Sequence, residues 1–552
     1  MAQLSFTMGE PSAEGASLGS AAAPTGTTIG SYFEAFSPAP SWTELGAWPP
    51  DVFALTNLVL DHTEAYRFAV APPAGRRWPP SPDWEARVRQ GASAWRDAAS
   101  NGDVTLPEPL RAEWERLTGC LQVPLAAIRG AESPIWETLL TLHAMADQAC
   151  QGLATGGAGA SSTSFERRAW RLLDRRGTVS RIDPTRVRIT PKTHFAGRGI
   201  TIRSLSRYLA LSYESVEVHW RRISPFPAPV AGPRDYNMVL VPWPLQVGSA
   251  DFRPVPSPLK DMDPAFGFFS FEPVGRLDLE HLHRMLELAN ERAGVIDAVI
   301  FPEAALGVEQ LAAVEDRLAA AGAVSLVAGV REPAGAHGFG RNYVHLGICT
   351  RTGWLRFQQP KHHRWCLDSS QIRQYHLSRV LDPARSWWEA IELPPRTLEI
   401  VDLGNGATTA PLVCEDLARM DEVADLLRRI GPTLVLALLL DGPQLPQRWP
   451  CRYATVLADE PGSAVLTLTS LGMASRSRPA ATTRSRVVAM WKDPSSELRP
   501  IELAKGASGI LLRTSTALRT VWTADGRRHE SSTPSITLAG VQQLRVPPMG
   551  VS

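Results

Sequence analysis

The sequence predicts an α/β protein: a layered C-terminal domain preceded by a small helical domain and a small basic α+β module. Three observations lead to this fold class. From Tyr236 onward, near-continuous apolar strands alternate with amphipathic helices, which is typical of sheets buried on both faces. Before that point, apolar residues recur at helical spacing. The chain has 552 residues, too many for a single hydrophobic core, so we expect several domains.

Composition indicates a globular protein, with 44% hydrophobic and 20% charged residues. The longest apolar run, Thr433 to Leu440, is far shorter than the ~20 residues that cross a bilayer. The N-terminus has neither the basic start nor the apolar core of a signal peptide, so we expect a cytoplasmic protein without membrane contact. The six cysteines lack CxxC spacing and no motif has metal-ligand spacing. The sequence therefore predicts no disulfide, no metal and no cofactor.

Composition also divides the chain into segments. Residues 1–40 are rich in Ala, Gly, Ser, Thr and Pro and are predicted to be disordered. Helical spacing predicts a helical domain over 41–150, and Gly, Ala and Ser predict a flexible linker over 151–164. The basic module covers 165–222. A proline-rich joint then leads into the α/β domain, which we place at 235–545.

The basic module holds 14 Lys and Arg against five Asp and Glu, a net charge of +9 in a chain whose total is +1. "FERRAWRLLDRR" and "TIRSLSRYLALS" predict helices, whereas "SRIDPTRVRIT" and "YESVEVHWRRI" alternate like strands. Two interpretations stay open. The module is a solvated small domain in an arginine-rich protein, or it is a surface for nucleic acid or another phosphate-bearing partner. Aromatic residues next to arginine in "FERRAW" and "HWRRI" suit the second interpretation.

In the C-terminal domain the elements follow one another in β-α-β order. "YNMVLVPWPL", "IDAVIFPEAALG" and "AVSLVAGVRE" predict strands, with the amphipathic helices "LDLEHLHRMLELANERAG" and "VEQLAAVEDRLAAAG" between them. "RNYVHLGICT" and "GWLRFQQPKHH" predict a hairpin. "TTAPLVCEDLAR" predicts a strand that runs into a helix. "PTLVLALLLD", "RWPCRYATVLADE" and "GSAVLTLTS" complete the pattern as strand, helix and strand.

Three chemically suitable residues follow three of these strands, where sites of α/β sheets gather. Glu303 follows "VIFP", Lys361 follows "FQQP", and Cys414 follows "PLV". A thiol nucleophile needs a base, and a carboxylate with a raised pKa can serve. A lysine and a backbone N–H can stabilise the oxyanion of a tetrahedral intermediate. Lys361 is one of only five lysines in the chain, which makes its position informative.

The motifs "FPEAALG", "QQPKHHRW" and "LVCEDLAR" stand in this order, with 58 residues from Glu303 to Lys361 and 53 from Lys361 to Cys414. In this order and context they resemble the nitrilase, or carbon-nitrogen hydrolase, superfamily, whose triad is Glu, Lys and Cys. The resemblance covers Tyr236 to Glu530. It implies a nitrilase-like α-β-β-α sandwich, often paired into a homodimer or a larger homo-oligomer. Residues 41–222 resemble no family that we recognise.

The resemblance also implies roles for particular residues. Cys414 would be the nucleophile, Glu303 the general base and Lys361 the oxyanion stabiliser, completed by the backbone N–H of Glu415. The reaction would be hydrolysis of a non-peptide amide or nitrile through a cysteine thioester. A helix that begins after Cys414 would lower the pKa of its thiol, whereas the acids at 415 and 416 would raise it. Four further residues are candidates for the pocket: His362, His363, Asp368 and Asp441.

The sequence departs from the family at one place. Many members carry a further glutamate shortly after the lysine, and "KHHRWCLDSSQIRQYHL" has none. Asp368, Gln371 or Gln374 could take its place. A second hypothesis therefore stays open: a nitrilase-like scaffold or effector with reduced catalysis, as in bacterial anti-phage systems, binding a protein or nucleic-acid partner through residues 165–222. Cys414 would then be a buried structural thiol.

Overall fold

A computed structural model describes most of the chain. The described residues are 26–36, 42–154, 163–194, 199–213, 216–223, 235–257, 259–335, 337–402, 407–419, 423–477, 484–527 and 533–546. Most of the N-terminal segment that is predicted to be disordered, and most of the predicted linker, lie outside these ranges. Among the described residues, no helix combines the length and hydropathy needed to cross a membrane.

The chain forms two compact units. The helical unit comprises the described residues up to Ala149 together with 180–189 and 211–213, and the sandwich unit comprises the other described residues. The helices of the helical unit are α1 (Ile29–Phe36), α2 (Trp42–Gly46), α3 (Pro49–His62), α4 (Trp84–Asn101), α5 (Leu110–Thr118), α6 (Leu125–Arg129) and α7 (Ile135–Ala149).

Helix α7 is the centre of the helical unit. Nearly all of its side chains are buried, and it packs against α3, α4 and α5. A helix that is apolar around most of its circumference is stable only inside such a bundle. The buried carboxylate of Asp51 on α3 accepts hydrogen bonds from Ser180 Oγ (2.7 Å) and from the backbone and side chain of Arg181 (2.7 and 2.8 Å). This carboxylate therefore attaches residues 180–189 to the bundle.

The sandwich unit contains most of the strands. The helices that follow α7 in the chain are α8 (Ser164–Arg176), α9 (Leu279–Ala293), α10 (Leu311–Ala320), α11 (Ser369–Gln374), α12 (Asp425–Ile430), α13 (Trp449–Asp459) and α14 (Leu471–Arg476). The strands of the chain are β1 (Arg188–Pro191), β2 (Leu209–Ser212), β3 (Glu217–Arg222), β4 (Met238–Leu240), β5 (Phe252–Val255), β6 (Phe266–Phe271), β7 (Ala298–Gly307), β8 (Ser325–Glu332), β9 (Arg341–Thr350), β10 (Gly353–Pro360), β11 (Cys366–Leu367), β12 (Ser386–Glu389), β13 (Thr397–Asp402), β14 (Thr408–Val413), β15 (Leu434–Leu439), β16 (Ala464–Thr469), β17 (Val487–Lys492), β18 (Arg499–Glu502), β19 (Gly509–Arg519) and β20 (Thr533–Leu544).

Two seven-stranded sheets face each other in the sandwich unit. Their strand orders are β10-β9-β8-β7-β4-β19-β20 and β18-β17-β16-β15-β14-β13-β3. Strands β15 and β16 lie against β7, and β14 lies against β9 and β10. Helices α9 and α10 cover the outer face of the first sheet, and α13 packs on β16 and β17 of the second. The predicted fold class is therefore confirmed for the C-terminal domain: an α-β-β-α sandwich.

Strand direction brings several carboxyl ends to one edge. In the second sheet β14, β15 and β16 run parallel, and in the first sheet β4, β7 and β8 run parallel while β10 points the same way through two antiparallel steps. Every residue of β14, β15 and β16 is buried, as continuous apolar strands of a parallel sheet require. A smaller sheet, β11-β12-β6-β5, adds a further strand end beside them.

Two local predictions within 165–222 differ from the structure. Residues 202–205 form a 3-10 turn and Leu209–Ser212 is a strand, where "TIRSLSRYLALS" predicts one helix. All four residues of that strand are buried, and their packing in the sheet determines the structure despite the helical spacing of their apolar side chains. Strand β3, placed in the basic module by composition, pairs in parallel with β13 from Thr397↔Glu217 to Asp402↔Arg222. It thus forms the edge of the larger sheet.

Candidate active site

Glu303 lies in a wide bulge of β7. The pairing of β7 with β8 shifts between Phe301 and Leu306, so residues 302–305 face the single residue Gly329. Ala304 adopts φ +51°, a left-handed conformation that is costly for a residue with a side chain. A Cβ on Gly329 would come within 2.3 Å of Glu303 Cα, so only glycine fits opposite the bulge. The bulge turns the Glu303 side chain inward, where it is 1% exposed.

Lys361 directly follows β10 and is fully buried. Its ammonium group donates to Glu303 Oε1 at 2.7 Å and to Glu389 Oε2 at 2.5 Å. Glu389 is the last residue of β12, 28 residues after the lysine. The structure therefore supplies the second carboxylate that the sequence analysis did not find in "KHHRWCLDSSQ". Asp368 does not take this place, because it is an exposed residue that caps α11 through Gln371.

Asn342, at the start of β9, joins the two carboxylates. Its amide nitrogen donates to Glu303 Oε1 at 2.8 Å and to Glu389 Oε1 at 2.7 Å. The backbone carbonyl oxygen of Asn342 accepts a hydrogen bond from the Lys361 backbone N–H at 3.0 Å. Glu303 Oε2 in turn accepts from the Leu440 N–H at 2.6 Å. The four side-chain oxygens of the two glutamates are thus held by fixed donors, which preorganises the cluster.

Cys414 follows β14 and begins a 3-10 turn, Cys414–Leu417. Its φ is +47°, so the nucleophile candidate, like the residue after Glu303, has strained backbone. A sharp turn at this point directs a side chain away from the strand that carries it, as in the nucleophile elbow of the α/β-hydrolase fold. The Cys414 thiol lies near enough to the Glu303 carboxylate and the Lys361 ammonium for both charges to act on its pKa. The structure therefore brings Glu303, Lys361 and Cys414 into one cluster.

Burial dominates the proton affinities of this cluster. It raises the pKa of the Cys414 thiol well above its usual value, and the Glu303 carboxylate raises it further while Lys361 opposes the shift. It also raises the pKa of Glu303, opposed by Lys361 and reinforced by Glu389. Burial alone would lower the pKa of Lys361, but the two carboxylates hold it well above its usual range. The lysine is therefore charged and the resting thiol keeps its proton.

The sequence left the net shift of the thiol pKa open between a following helix and the acids at 415 and 416. In the structure a four-residue 3-10 turn directly follows Cys414, and burial together with the carboxylates of Glu303 and Asp441 raises the pKa of the thiol. A thiol with a raised pKa reacts only when a base takes its proton, and the Glu303 carboxylate lies beside it.

The two histidines after Lys361 hold the turn that carries Cys414. The His362 backbone N–H donates to Asp416 Oδ2 at 3.0 Å, and His363 Nδ1 lies 2.8 Å from Asp416 Oδ1. His362 Nε2 also lies 2.9 Å from the carbonyl oxygen of Thr397. Neither histidine lines the cavity over Cys414. They are positioning residues, which fix the loop after β10 against the turn after β14.

A cavity of about 270 Å³ opens over Cys414. Its lining residues are Trp365, Cys366, Gln371, Cys414, Glu415, Ala418, Leu440, Asp441, Trp449 and Tyr453. A second cavity of about 280 Å³ reaches Asn342 and Glu389 but is not lined by Cys414. The first cavity is therefore the one that adjoins the Cys414 thiol, and its volume suits a small molecule. Within the described residues, no group of three or more His, Cys, Asp or Glu side chains is placed to hold a metal ion.

Asp441, the pocket candidate that follows β15, does line this cavity. Its Oδ1 accepts from Tyr375 OH at 2.5 Å and from Arg448 Nη2 at 2.6 Å. Sequence reasoning missed Asn342, Glu389, Tyr375 and Arg448, because none of them directly follows a predicted strand, which is where the three candidates were sought.

The protein has an α/β sandwich that contains a buried cluster of Glu303, Lys361 and Cys414, and Cys414 of this cluster lines a cavity. No protein-family model and no curated protein sequence matches the chain. Among solved structures, Nit3 of Saccharomyces cerevisiae, a member of branch 10 of the nitrilase superfamily, is 12% identical; the match covers 51% of this chain and 92% of that chain, with a TM-score of 0.33.

Two further solved structures each match about half of the chain. The NitFhit protein of C. elegans is 12% identical over 49% of this chain and 61% of that chain (TM-score 0.30). A carbon-nitrogen hydrolase from Helicobacter pylori is 13% identical over 55% and 88% (TM-score 0.27). These neighbours come from the superfamily that the sequence resembles. At such identities and TM-scores the activity has to be argued from this chain's own site.

Proposed function

We propose that this protein is a carbon-nitrogen hydrolase that cleaves a small amide or nitrile through a thioester on Cys414. One observation carries the proposal: a buried ammonium, Lys361, lies between two buried carboxylates, and beside them is the thiol of Cys414, which lines a cavity. Burying one ammonium and two carboxylates removes three ionisable groups from water, and the cost of that desolvation offsets much of their mutual attraction. The cluster therefore contributes little to the stability of the fold. Such clusters are typical of catalytic sites.

For an amide, the first half-reaction would form the thioester. Glu303 takes the proton of the Cys414 thiol while the sulfur attacks the carbonyl carbon. The Lys361 ammonium and the backbone N–H of Glu415 stabilise the oxyanion. The C–N bond then breaks, and the leaving nitrogen receives the proton from Glu303 and departs as an amine or ammonia.

The second half-reaction would release the acid. Water gives a proton to Glu303 as its oxygen attacks the thioester carbon, the C–S bond breaks, and the sulfur regains a proton from Glu303. Glu389 and Asn342 touch Lys361 and Glu303 rather than the thiol. Their role is to hold both groups in place and to keep Lys361 charged.

The scaffold hypothesis rested on a missing carboxylate and on the basic segment. Glu389 now pairs with Lys361. Several arginines of the segment also pair inside the sandwich unit: Arg203 with Asp425 and Glu460, Arg221 with Glu399, and Arg222 with Asp402. These contacts favour a structural use of the basic charge over a surface for a nucleic-acid or protein partner.

The test is release of ammonia from a panel of short amides and nitriles. Cys414→Ala is expected to reduce turnover by about 10³-fold or more, because the nucleophile is removed. Cys349→Ala, which changes a thiol of β9 outside the cavity, serves as the matched control and keeps full activity. Turnover that survives in Cys414→Ala, with the protein folded, would contradict the proposal.

A further inference from the structure

The carboxylate of Asp441 is only half satisfied. Tyr375 and Arg448 both bind Oδ1, whereas Oδ2 is buried and accepts no hydrogen bond from any described residue. The residue is 5% exposed and lines the cavity that contains Cys414. A buried carboxylate oxygen without a donor costs about 1–3 kcal/mol or more. Such an oxygen in a cavity wall is ready to accept a hydrogen bond from a ligand.

The other walls of the cavity favour a cation. Three aromatic side chains line it, namely Trp365, Trp449 and Tyr453, and Trp449 and Tyr453 lie edge to face at 6.3 Å on the first turns of α13. Aromatic faces attract ammonium groups that leave water. None of the ten lining residues is Lys, Arg or His, and the only other charged one, Glu415, is acidic.

The charge of the wall fits the same conclusion. Arg448 neutralises Asp441 from the side of Oδ1, with its own side chain 19% exposed. Arg419 pairs with Glu415 and is not among the lining residues. An entering ammonium therefore meets carboxylate oxygens and aromatic rings, whereas Arg448 and Arg419 are not among the residues that line the cavity.

We propose that Asp441 is a specificity residue, whose Oδ2 binds an ammonium group of the substrate while Cys414 faces its amide or nitrile carbon. The substrate class is then small amino amides or amino nitriles. This inference rests on the proposed function for the reacting group, but the ammonium site itself is a binding property that can be measured without turnover.

The experiment measures binding to the Cys414→Ala protein by calorimetry. Three ligand pairs differ only by ammonium against methyl: glycinamide and propionamide, β-alaninamide and butyramide, and γ-aminobutyramide and valeramide. In at least one pair we expect the ammonium ligand to bind about tenfold or more tightly, as a charge-assisted hydrogen bond provides. Adding Asp441→Asn should remove this preference and leave the affinity of the alkyl amide unchanged. Asp316→Asn, on the exposed side of α10, is the matched control and should keep the preference.

Equal affinity within all three pairs, or no binding of any ammonium ligand, would overturn the inference. So would an Asp441→Asn variant that weakens both members of a pair by the same factor, because that is the effect of a structural role. The proposed function fails separately. Wild-type protein that binds the ammonium ligands but releases no ammonia from any amide or nitrile would keep the ammonium site and reject the hydrolase.

Discussion

Two buried glutamates on opposite faces of the first sheet behave differently. Glu303 and Glu315 are each 1% exposed, and each meets partners from β9 and from β10 or the residue directly after it. Asn342 and Lys361 face Glu303, whereas His345 and Arg356 face Glu315 on α10. Along the chain, His345 is three residues from Asn342, and Lys361 is five residues from Arg356. Because successive side chains of a strand alternate between its faces, an odd separation places the two sets of partners on opposite faces of the sheet.

The difference lies in charge balance. Glu315 has one guanidinium that binds both of its oxygens, and although burial would raise its pKa, the hydrogen bonds from His345 and Arg356 hold the pKa below its usual value. Glu303 shares one ammonium with Glu389, and its pKa is raised. A balanced pair keeps a carboxylate inert and charged, whereas a surplus of negative charge makes one of two carboxylates a base.

Removal of each cation gives the largest contrast. Lys361→Met leaves two buried carboxylates without a cation, and we expect a loss of about 4 kcal/mol in the free energy of unfolding together with loss of turnover. Arg356→Met should cost about 1 kcal/mol, because its side chain is 53% exposed and solvent screens the pair. Urea unfolding measures both. Equal losses for the two variants would show that the clusters do not differ as described.

Neutral replacement of each glutamate separates activity from stability. Glu303→Gln should lower turnover about 10³-fold while the unfolding free energy changes by less than about 1 kcal/mol, since a surplus charge is removed with the base. Glu315→Gln should lower stability by about 2 kcal/mol and keep turnover per folded molecule within about twofold. The account fails if Glu315→Gln is the inactive variant or if Glu303→Gln retains turnover.

The pH dependence of Cys414 reactivity tests whether Glu303 is the base that takes the thiol proton. Burial and the Glu389 carboxylate raise the pKa of Glu303, and attack needs Glu303 without its proton, so reactivity of Cys414 should rise with pH through that raised pKa. Glu389→Gln removes a negative charge that favours the proton on Glu303. The pKa of Glu303 therefore falls, and the pH at which Cys414 becomes reactive should move to a lower value.

The rate of Cys414 labelling by fluoroacetamide, measured as a function of pH, gives this dependence without a known substrate. Cys349→Ala is the control and should leave the pH at which the rate rises unchanged. If that pH stays the same in Glu389→Gln, or moves to a higher value, the result would contradict the sign of the charge effect.

The smallest effect concerns the geometry of the balanced pair. Arg356→Lys keeps the charge beside Glu315 but cannot bind both carboxylate oxygens as a planar guanidinium does. We expect a loss of about 0.5 kcal/mol, seen as a small fall in Tm, with turnover unchanged. A loss as large as that of Glu315→Gln would mean that the pair depends on geometry rather than on charge.

Site residues that follow a predicted strand could be predicted from the sequence, whereas those that reach the site through pairing of strands distant in the chain could not. Glu303, Lys361 and Cys414 could be predicted because each follows an apolar strand and their order is informative. Glu389 joins the site only because β12 pairs with β6, beginning at Ser386↔Phe266. A search limited to the residues after Lys361 therefore missed it.

Burial limits what sequence can say about proton affinity. The acids at 415 and 416 and the following helix were visible in the sequence, but the complete burial that raises the thiol pKa was not. Asp441 was predicted as a pocket residue, whereas its half-satisfied carboxylate depends on where Tyr375 and Arg448 place their donors. Hydrophobic periodicity predicted that the C-terminal domain is a layered α/β domain, and the family resemblance implied the α-β-β-α sandwich.

The central claim is that Cys414 is a nucleophile activated by Glu303. The most direct measurement is mass spectrometric mapping of the folded protein after reaction with fluoroacetamide, a poor alkylating agent for ordinary thiols. The account predicts that Cys414 is modified first among the six cysteines, and that Glu303→Gln slows this reaction while Glu315→Gln does not. Modification of Cys366, the other thiol that lines the cavity, ahead of Cys414, or labelling of Cys414 that is independent of Glu303, would contradict it.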